Sequence, residues 1–532
     1  MSAEGDKAKR PDLYIGLVCA AGTDLTEIKN QLEAQLSVVG YSYKPIKVSL
    51  LISSLLEIPS CSDEFVRIKK LMEAGDEIRL KSENGHGVAA AVVTELRRIR
   101  GDDDDTPSST AFVIDSFKNP AEIELFDKVY SKNYYTISVH LPRDERIDNL
   151  TNKIAKGRHE PPEDEHRLLA RGLVEDDEKG IDKKSQNVRD TFPKADYFIN
   201  AKEDISSQVK RFVELIFGEP FSTPSLDEYF MYVAKATALR SDDLSRQVGA
   251  VIADDHGAIV STGCNEVPYP GGGFYFDGRK GKIGDNRDYV KQLDPNYIEI
   301  QRTLIELIGV LKKAKLVSDT EKDSDVVDRL LHGEYKELMS NARIRNLIEF
   351  GRVVHAEMHA LSQAAAAGRA VRGTSLYCTT FPCHGCARHI ISAGIRDVIY
   401  IEPYPKSLTQ QLYSDEIEVA HRTAETEADD KSIDRVIFRA FHGVAPTLYQ
   451  RVFAYRQRKD ALGTIAEWQP RSAVPLGAAF GVERPKMEAA VSNSVAAIME
   501  AIKVIKPPTN QETADAGESA DCADSKGSTI VQ

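Results

Sequence analysis

The first half of the chain alternates short apolar runs with longer stretches in which apolar residues recur at helical spacing. The run at residues 13–18 leads through a small-residue turn into a segment with one apolar face, formed by Leu25, Ile28, Leu32 and Leu36. Further strand-like runs lie at 46–52, 111–114, 134–139 and 197–199, and helical stretches lie near 87–100 and 120–130. This alternation predicts an α/β domain over residues 12–217 with a mostly parallel, doubly wound sheet.

Two charged stretches interrupt this pattern. Residues 102–105 are four consecutive aspartates and predict an exposed loop. Residues 143–190 are crowded with charges and poor in strand-forming residues. We therefore expect residues 143–190 to form a mobile helical flap outside the core.

The pattern restarts after residues 218–224, which have the Pro, Gly and Ser content of a linker. A helical segment at 226–239 precedes two strand-like runs at 248–253 and 258–262. We expect a second α/β domain over residues 225–470, with a Gly-rich and then helical insertion at 268–350.

The ends of the chain have a different composition. Residues 1–11 are polar, and residues 507–532 carry five acidic residues against one lysine with few large apolar side chains. We expect both ends to be disordered, with residues 471–506 forming a separate C-terminal segment.

Composition excludes several classes of function. The 69 Lys+Arg against 82 Asp+Glu residues give a net charge of −13, which disfavours a protein that grips nucleic-acid backbones. Seven scattered cysteines do not resemble a disulfide framework. Because the sequence shows neither a secretory signal nor an apolar run of 18 residues, we expect a cytoplasmic protein without a membrane segment.

Two short motifs carry most of the predicted chemistry. His355-Ala356-Glu357 opens one predicted helix, and Pro382-Cys383-His384-Gly385-Cys386 opens another. Cysteines three residues apart on a first helical turn point the same way, and the helix N-terminus favours their thiolate form. Two thiolates and one imidazole leave the fourth position of a tetrahedral Zn²⁺ free for water, whose pKa the metal lowers. Glu357 is placed to move protons without occupying the metal.

The order of the two motifs matches zinc-dependent nucleobase deaminases, in which H-x-E is followed by P-C-x-x-C. The alternative is a structural zinc site, which needs a fourth protein ligand. The candidates for that ligand are His384, which is poorly placed, and Cys378, which lies on a predicted strand and suits a small core position.

Residues 225–420 resemble the deoxycytidylate deaminase family through these motifs, through the strand at 246–252 and through the G-x-N-x-x-P turn at 263–268. The resemblance implies that Asn265 contacts the deoxyribose, although an Asn that only forms the turn is the alternative. This sequence carries His359 where family members usually have Asn, which leaves open whether a mono- or a triphosphate is recognised.

Most of residues 12–465 resemble bacterial anti-phage deoxycytidylate deaminases that join an N-terminal P-loop-like domain to the deaminase. The segments that carry this resemblance are residues 113–120, residues 265–268 with the three glycines 271–273, residues 402–407 and residues 441–446. It implies a kinase-like doubly wound sheet followed by a cytidine-deaminase-like three-layer α/β/α domain. It also implies one Zn²⁺ per chain, deamination of dCTP and dCMP to deplete dCTP, and control by the N-terminal half. We further expect a homo-oligomer.

Residues 16–23 occupy the place of a phosphate-binding loop, between a strand and a helix. Five residues separate Gly16 from Gly22, one more than the standard spacing, and Thr23 stands where the motif has lysine. The loop is therefore predicted either to bind a regulatory nucleotide or another anion without catalysis, or to be scaffold only.

Some further residues have two interpretations. Lys406 and Ser407, after the strand at 398–401, can reach a substrate phosphate or be solvated, and Tyr404 can stack on the base or pack beneath the loop. Arg240, Arg246 and Arg287 are comparable phosphate candidates, with surface ion pairs as the alternative.

We expect a deaminase of free deoxycytidine nucleotides. The alternatives are a polynucleotide-editing deaminase, which the net charge of −13 disfavours, a housekeeping dCMP deaminase and a non-catalytic nucleotide-binding protein. The glutamate of the first motif argues against the non-catalytic alternative.

Overall fold

The computed structural model describes residues 10–101, 107–178, 180, 183–278, 284–292, 294–340, 342–403, 407–419, 435–478 and 483–505. The chain divides into two compact units. The first unit takes the described residues up to Thr223, residues 442–444 and those from Gln450 onward, and the second takes residues 224–441 and 445–449. The second unit is therefore shorter than the expected domain at 225–470. Residues from 450 onward join the first unit, where the indole N–H of Trp468 donates to the carbonyl of Phe217.

The strands of the described residues, in chain order, are β1 (Leu13–Cys19), β2 (Ser42–Lys47), β3 (Thr110–Phe117), β4 (Tyr134–His140), β5 (Tyr197–Asn200), β6 (Gly249–Ala253), β7 (Ile259–Cys264), β8 (Ser375–Thr380), β9 (Asp397–Glu402), β10 (Ile417–Val419), β11 (Val436–Ala440) and β12 (Gly443–Val444).

The helices, in chain order, are α1 (Thr26–Val38), α2 (Val48–Leu55), α3 (Glu64–Lys81), α4 (Gly87–Arg100), α5 (Pro120–Tyr130), α6 (Arg143–Arg158), α7 (Asp164–Glu178), α8 (Val188–Thr191), α9 (Ile205–Ile216), α10 (Leu226–Ala238), α11 (Asp288–Lys291), α12 (Pro295–Lys313), α13 (Asp323–Leu331), α14 (Lys336–Ser340), α15 (Ala356–Ala366), α16 (His384–Ser392), α17 (Thr409–Leu412), α18 (Pro446–Phe453) and α19 (Arg484–Ile505). Among the described helices, none has both the length and the apolar character that crossing a bilayer requires.

The first unit is built on a sheet in the order β2-β3-β1-β4-β5-β12, parallel except for β12. This confirms the predicted mostly parallel α/β sheet. Every residue of β1 is buried, because this central strand is covered on both faces. The chain leaves β1 towards β2 and later crosses from β3 over to β4. The carboxyl ends of β1 and β3 therefore meet at the point where the strand order reverses.

Two predictions for this unit were wrong. The strand expected at 46–52 is mostly helix, because the edge strand β2 ends at Lys47 and α2 follows, burying Val48 and Ile52 one turn apart. The expected flap at 143–190 contains the helices α6 and α7, whose apolar faces form a buried cluster of Ile147, Leu150, Ile154, Ala170, Leu173 and Val174. The charges of this segment lie on the opposite faces of an ordinary amphipathic helix pair.

The second unit has a sheet in the order β7-β6-β8-β9-β11-β10. Strand β6 is antiparallel to both β7 and β8, whereas β8, β9, β11 and β10 run parallel. Helix α15 packs directly on β7 at Gly263, where an added Cβ would lie 2.1 Å from the carbonyl oxygen of Ala356. Only glycine allows this approach, which sets the position of the helix that begins with the first motif.

The expected insertion at 268–350 contributes α11 to α14, and α12 and α13 bury a small core of Ile300, Leu304, Val327 and Leu331. The C-terminal segment contributes α19, which packs on α4. Residues 1–9 and 506–532 lie outside the described residues. Arg10, expected in the disordered N-terminus, is instead tied to the first unit, where its guanidinium donates to the carbonyls of Gly40 and Ala473.

Candidate active site

Two helix N-termini bring the predicted metal ligands together. His355 is the residue that precedes α15, and Cys383 is the residue that precedes α16. Strand β8 leads into α16, whose first turn presents Cys386 beside Cys383. The backbone N–H of Cys386 donates to Cys383 Sγ at 3.4 Å, which stabilises a thiolate at Cys383. The local sequence therefore builds the cysteine pair, and the packing of α15 on β7 adds the histidine.

The three ligand atoms lie at the separations of a tetrahedral metal site. His355 Nδ1 is 3.3 Å from Cys383 Sγ and 3.4 Å from Cys386 Sγ, and all three ligand atoms lie within 4.8 Å of one another. Tetrahedral Zn²⁺ with ordinary Zn–N and Zn–S bonds places such atoms about 3.5 Å apart. Among the described residues these are the ones grouped to hold a metal ion, and Cys378 is a fully buried core residue outside the group.

The electrostatics of this cluster suit a cation. The hydrogen bond from the Cys386 thiol lowers the pKa of Cys383 to about 4, and the hydrogen bond with Cys383 raises the pKa of His355 to about 9. Protons shared among His355, Cys383 and Cys386 therefore occupy the lone pairs that would bind a metal ion. Metal binding and protonation compete for these lone pairs, so a bound metal would replace the shared protons. The donor set and its charge fit Zn²⁺.

Glu357 lies two residues after His355 and is 4 % exposed. Burial raises its pKa, while the neighbouring charge of His355 opposes that shift. A buried carboxyl group with a raised pKa can hold a proton and pass it on, which is the property of a general acid–base. The structure places it beside the metal ligands without making it one of them.

Asn265 follows β7 and is 6 % exposed. Its amide oxygen accepts the backbone N–H of Val248 at 2.7 Å, and its amide nitrogen donates to the carbonyl of Arg246 at 2.8 Å. These bonds hold the turn against the segment that enters β6. One N–H and one oxygen lone pair of the amide remain for another partner.

Two hydroxyl groups that follow β9 hold the residue before the metal ligand Cys383 in place. Ser407 Oγ donates to the carbonyl of Pro382 at 2.9 Å, and Thr409 Oγ1 donates to the same carbonyl at 3.2 Å. These hydroxyls hold the residue that directly precedes the metal ligand Cys383. Tyr404 and Lys406, predicted to contact substrate, lie outside the described residues.

Arg287 forms ion pairs beside the Asn265 turn, which is the alternative that the sequence offered for this residue, whereas the part of Glu266 in the same network was not predicted. Arg287 lies 2.6 Å from Asp242 and 2.7 Å from Asp285, and Glu266 is 1 % exposed and accepts the backbone N–H of Asp242. Burial and the neighbouring Asp242 raise the pKa of Glu266 to about 7. The sequence shows an acid directly after Asn265, but Asp242, whose backbone N–H donates to it, lies 24 residues earlier in the chain.

The predicted anion loop of the first unit is only partly a loop. Gly16 lies in the middle of β1, paired with Ile114 and Thr136, and an added Cβ would lie 2.7 Å from ring atoms of Phe117. Gly16 therefore serves packing, and its place in the loop was wrong. Gly22 has φ +89° and lies against Arg146, whose carbonyl oxygen would be 2.3 Å from an added Cβ.

A carboxylate of the chain itself occupies the anion position of the remaining loop. The backbone N–H of Ala21 donates to Asp177 at 2.6 Å, and the ammonium group of Lys118 lies 3.0 Å from the same carboxylate. Lys118 also donates to the carbonyl of Cys19 at 2.7 Å. Thr23 Oγ1 is buried without a hydrogen-bond partner in the described part of the chain. Asp177 thus takes up a backbone N–H and a lysine that an anion at this loop would also use.

Comparison with known proteins shows what the second unit is similar to. Residues 224–402 match the family model of the cytidine and deoxycytidylate deaminase zinc-binding region. A probable deoxycytidylate deaminase of Drosophila melanogaster is 28 % identical over 175 residues, 33 % of this chain and 58 % of that protein. The deoxycytidylate deaminase of Enterobacteria phage T2 is 29 % identical over 181 residues, 33 % of this chain and 80 % of that protein.

A solved structure, the dCMP deaminase of cyanophage S-TIM5 in apo form, aligns with 41 % of this chain and 99 % of its own. The identity is 17 % and the TM-score is 0.21.

Proposed function

We propose that the protein deaminates dCMP and dCTP to dUMP and dUTP, because residues 224–402 match the family model of the cytidine and deoxycytidylate deaminase zinc-binding region. The observation that carries this proposal is the convergence of His355, Cys383 and Cys386 beside the buried acid Glu357. Deamination of a cyclic amidine needs an activated water and a proton carrier in one enclosed place.

Zn²⁺ held by His355, Cys383 and Cys386 would supply a water of lowered pKa and a Lewis acid. Glu357 would take a proton from the attacking water and deliver it to N3 of the cytosine ring as the water oxygen bonds to C4. Glu357 then takes the remaining proton of the new C4 hydroxyl group and passes it to the amino group, which leaves as ammonia when the C4–N bond breaks and the C4 carbonyl forms. The raised pKa of Glu357 suits both directions of proton transfer.

Asn265 is proposed to contact the deoxyribose with the N–H and lone pair that its backbone bonds leave free. The turn that carries it is linked to the metal centre, since Glu266 and Val354 exchange backbone hydrogen bonds next to His355. A substrate sugar held at this turn would therefore be held at a fixed distance from the metal ligands.

The resemblance of most of the chain to anti-phage deaminases supports a further proposal, that turnover of dCTP lowers the supply of this nucleotide during infection. A housekeeping role would act chiefly on dCMP. Comparison of dCTP pools in infected cells that carry wild type or Glu357→Gln separates these roles, because only the antiviral role requires a fall in dCTP.

The direct test is release of ammonia by the full-length, zinc-loaded protein from dCMP, dCTP, CTP, deoxycytidine and a single-stranded deoxycytidine oligonucleotide. We expect turnover of the free deoxynucleotides. Turnover of the oligonucleotide alone would support a polynucleotide-editing enzyme, and the absence of all turnover by protein with a full zinc equivalent would refute the proposed activity.

A further inference from the structure

Helix α12 carries two separate sets of apolar residues. Ile300 and Leu304 are buried against α13 and form the small core of the insertion. A second set lies on another face of the helix at spacings of three and four residues, and it consists of Leu307, Val310 and Ala314. Since this spacing repeats about once per helical turn, the second set forms an apolar stripe along α12.

The apolar stripe faces solvent. Leu307 is 47 % exposed and Val310 is 59 % exposed, and Leu316 and Val317, directly after the helix, are 73 % and 41 % exposed. These side chains are left uncovered by the residues that the structure describes. The insertion does not need the stripe for its own folding, because its core lies on the other face of α12. A row of exposed apolar residues at helical spacing, unlike single ones, marks an interaction surface.

The charges beside the apolar stripe change sign along the helix. Glu306 precedes Leu307 and Lys313 precedes Ala314, so the two charged residues lie on the same side of the stripe, seven residues apart. Both side chains are exposed, and neither forms an ion pair within the described part of the chain. The stripe therefore has an acidic residue towards its first end and a basic residue towards its second. Such a surface is complementary to a copy of itself turned end over end.

We propose that the apolar stripe of α12 is the contact surface for a second copy of this chain, with the two α12 helices packed antiparallel. In this arrangement Leu307 of each copy packs against Val310 of the other, and Thr303 of each copy packs against Ala314 of the other. The same surface is used by both copies, so the contact closes at two chains.

The charges select the antiparallel direction. In the antiparallel pair, Glu306 of each copy lies beside Lys313 of the other, which gives two symmetry-related attractions at the edge of the stripe. In a parallel pair the residue opposite Glu306 would be Leu311, and neither charge would meet its counterpart. One pair of helices of this length buries less than the roughly 1,600 Å² of a standard stable interface. We therefore expect a dimer that dissociates at micromolar concentration.

Sedimentation equilibrium of the full-length, zinc-loaded protein from nanomolar to high micromolar concentration measures this association. Val310→Asp places a charge in the middle of the contact and should weaken the dimer about tenfold or more. The matched control is Leu168→Asp, which changes a leucine of the first unit that is 67 % exposed and should leave the association unchanged. Zinc content and far-UV circular dichroism verify that each variant is folded. A wild type that stays monomeric throughout, or an assembly that Val310→Asp does not weaken, would overturn the contact.

Exchange of the two charges tests the direction of packing. Glu306→Lys and Lys313→Glu each turn two attractions into two repulsions, and each should weaken the dimer about 5- to 30-fold at low salt. The double variant Glu306→Lys/Lys313→Glu restores both attractions and should return to the wild-type association. A double variant that associates no better than the single variants would overturn the antiparallel pairing. Because none of these residues belongs to the candidate active site, the contact and the proposed activity are tested independently.

Discussion

The carboxylate of Asp177 in α7 accepts the backbone N–H of Ala21 at 2.6 Å, in the loop that follows the central strand of the first sheet. Lys118, from the turn after β3, lies 3.0 Å from the same carboxylate. The loop that the sequence marks as an anion site is thus filled by an acid 156 residues away along the chain. Asp177 therefore neutralises the lysine that lies beside this loop.

Asp177→Asn should destabilise the first unit strongly. Asp177 is 1 % exposed, and removing one partner of a buried ion pair leaves the other charge uncompensated, which costs about 3–5 kcal/mol. The double variant Asp177→Asn/Lys118→Met should recover part of that loss. Urea unfolding of the full chain measures both effects, with the exposed neighbour Asp176→Asn as control. Equal stability of wild type and Asp177→Asn would contradict the buried pair.

Glu357→Gln should retain zinc and lose deamination. The substitution keeps the volume of the buried side chain but removes its acid–base chemistry, which contributes about 10²- to 10⁴-fold to a rate. Metal analysis and ammonia release from dCMP are measured on the same preparation. Cys383→Ala is the complementary variant and should lose most of its zinc, because it removes one of the three ligands.

Retention of a full zinc equivalent by Cys383→Ala would show that the ligand set is wrong. A Glu357→Gln rate within about tenfold of wild type, or about 1.4 kcal/mol of barrier, would show that another group moves the protons.

Gly263→Ala should destabilise the second unit by about 1–3 kcal/mol and weaken zinc binding. The new Cβ would lie 2.1 Å from the carbonyl oxygen of Ala356 and 2.5 Å from the backbone nitrogen of Ala360, so α15 must shift and take His355 with it. Denaturant unfolding and a zinc-chelator competition measure the two effects. The matched control is Gly172→Ala in α7, where an added Cβ meets nothing within 4 Å and should be neutral or stabilising.

Glu266 should make the stability of the second unit depend on pH. Burial and Asp242 raise its pKa to about 7 in the native state, against an ordinary value of 4.5. Between these values the native state holds a proton that the unfolded state releases, so the free energy of unfolding falls as pH rises from about 4.5 to 7. Above pH 7 this contribution changes no further. Glu266→Gln cannot titrate and should lack this part of the slope.

The measurement is denaturant unfolding of wild type and Glu266→Gln from pH 5 to 8. The difference between their free energies of unfolding is followed with pH, because the titration of the metal ligands is common to both proteins and cancels. The exposed residue Glu418→Gln serves as control. A difference that is constant with pH would contradict the raised pKa.

The sequence by itself determined the chemistry of the metal site, because that chemistry is local. Two cysteines three residues apart at a helix N-terminus face the same way in any fold, and His355 at the start of another helix needs only to be brought nearby. The sequence also determined the strands and helices that have regular apolar spacing, because this spacing is a local property too. Helices α4 and α5, for example, begin and end where their apolar periods do.

The tertiary structure decided everything that depends on residues distant in the chain. Residues 46–52 contain enough β-branched and apolar residues for a strand, but β2 already supplies the edge of the sheet, so most of this run becomes α2. The spacing of Gly16 resembles that of a phosphate loop, yet Gly16 lies inside β1, where the ring of Phe117 and the hydroxyl of Tyr134 leave no room for a Cβ. The contacts of Asp177 were likewise invisible in the sequence. Local spacing specifies which way a side chain points along its own element, whereas only packing between elements specifies what it meets.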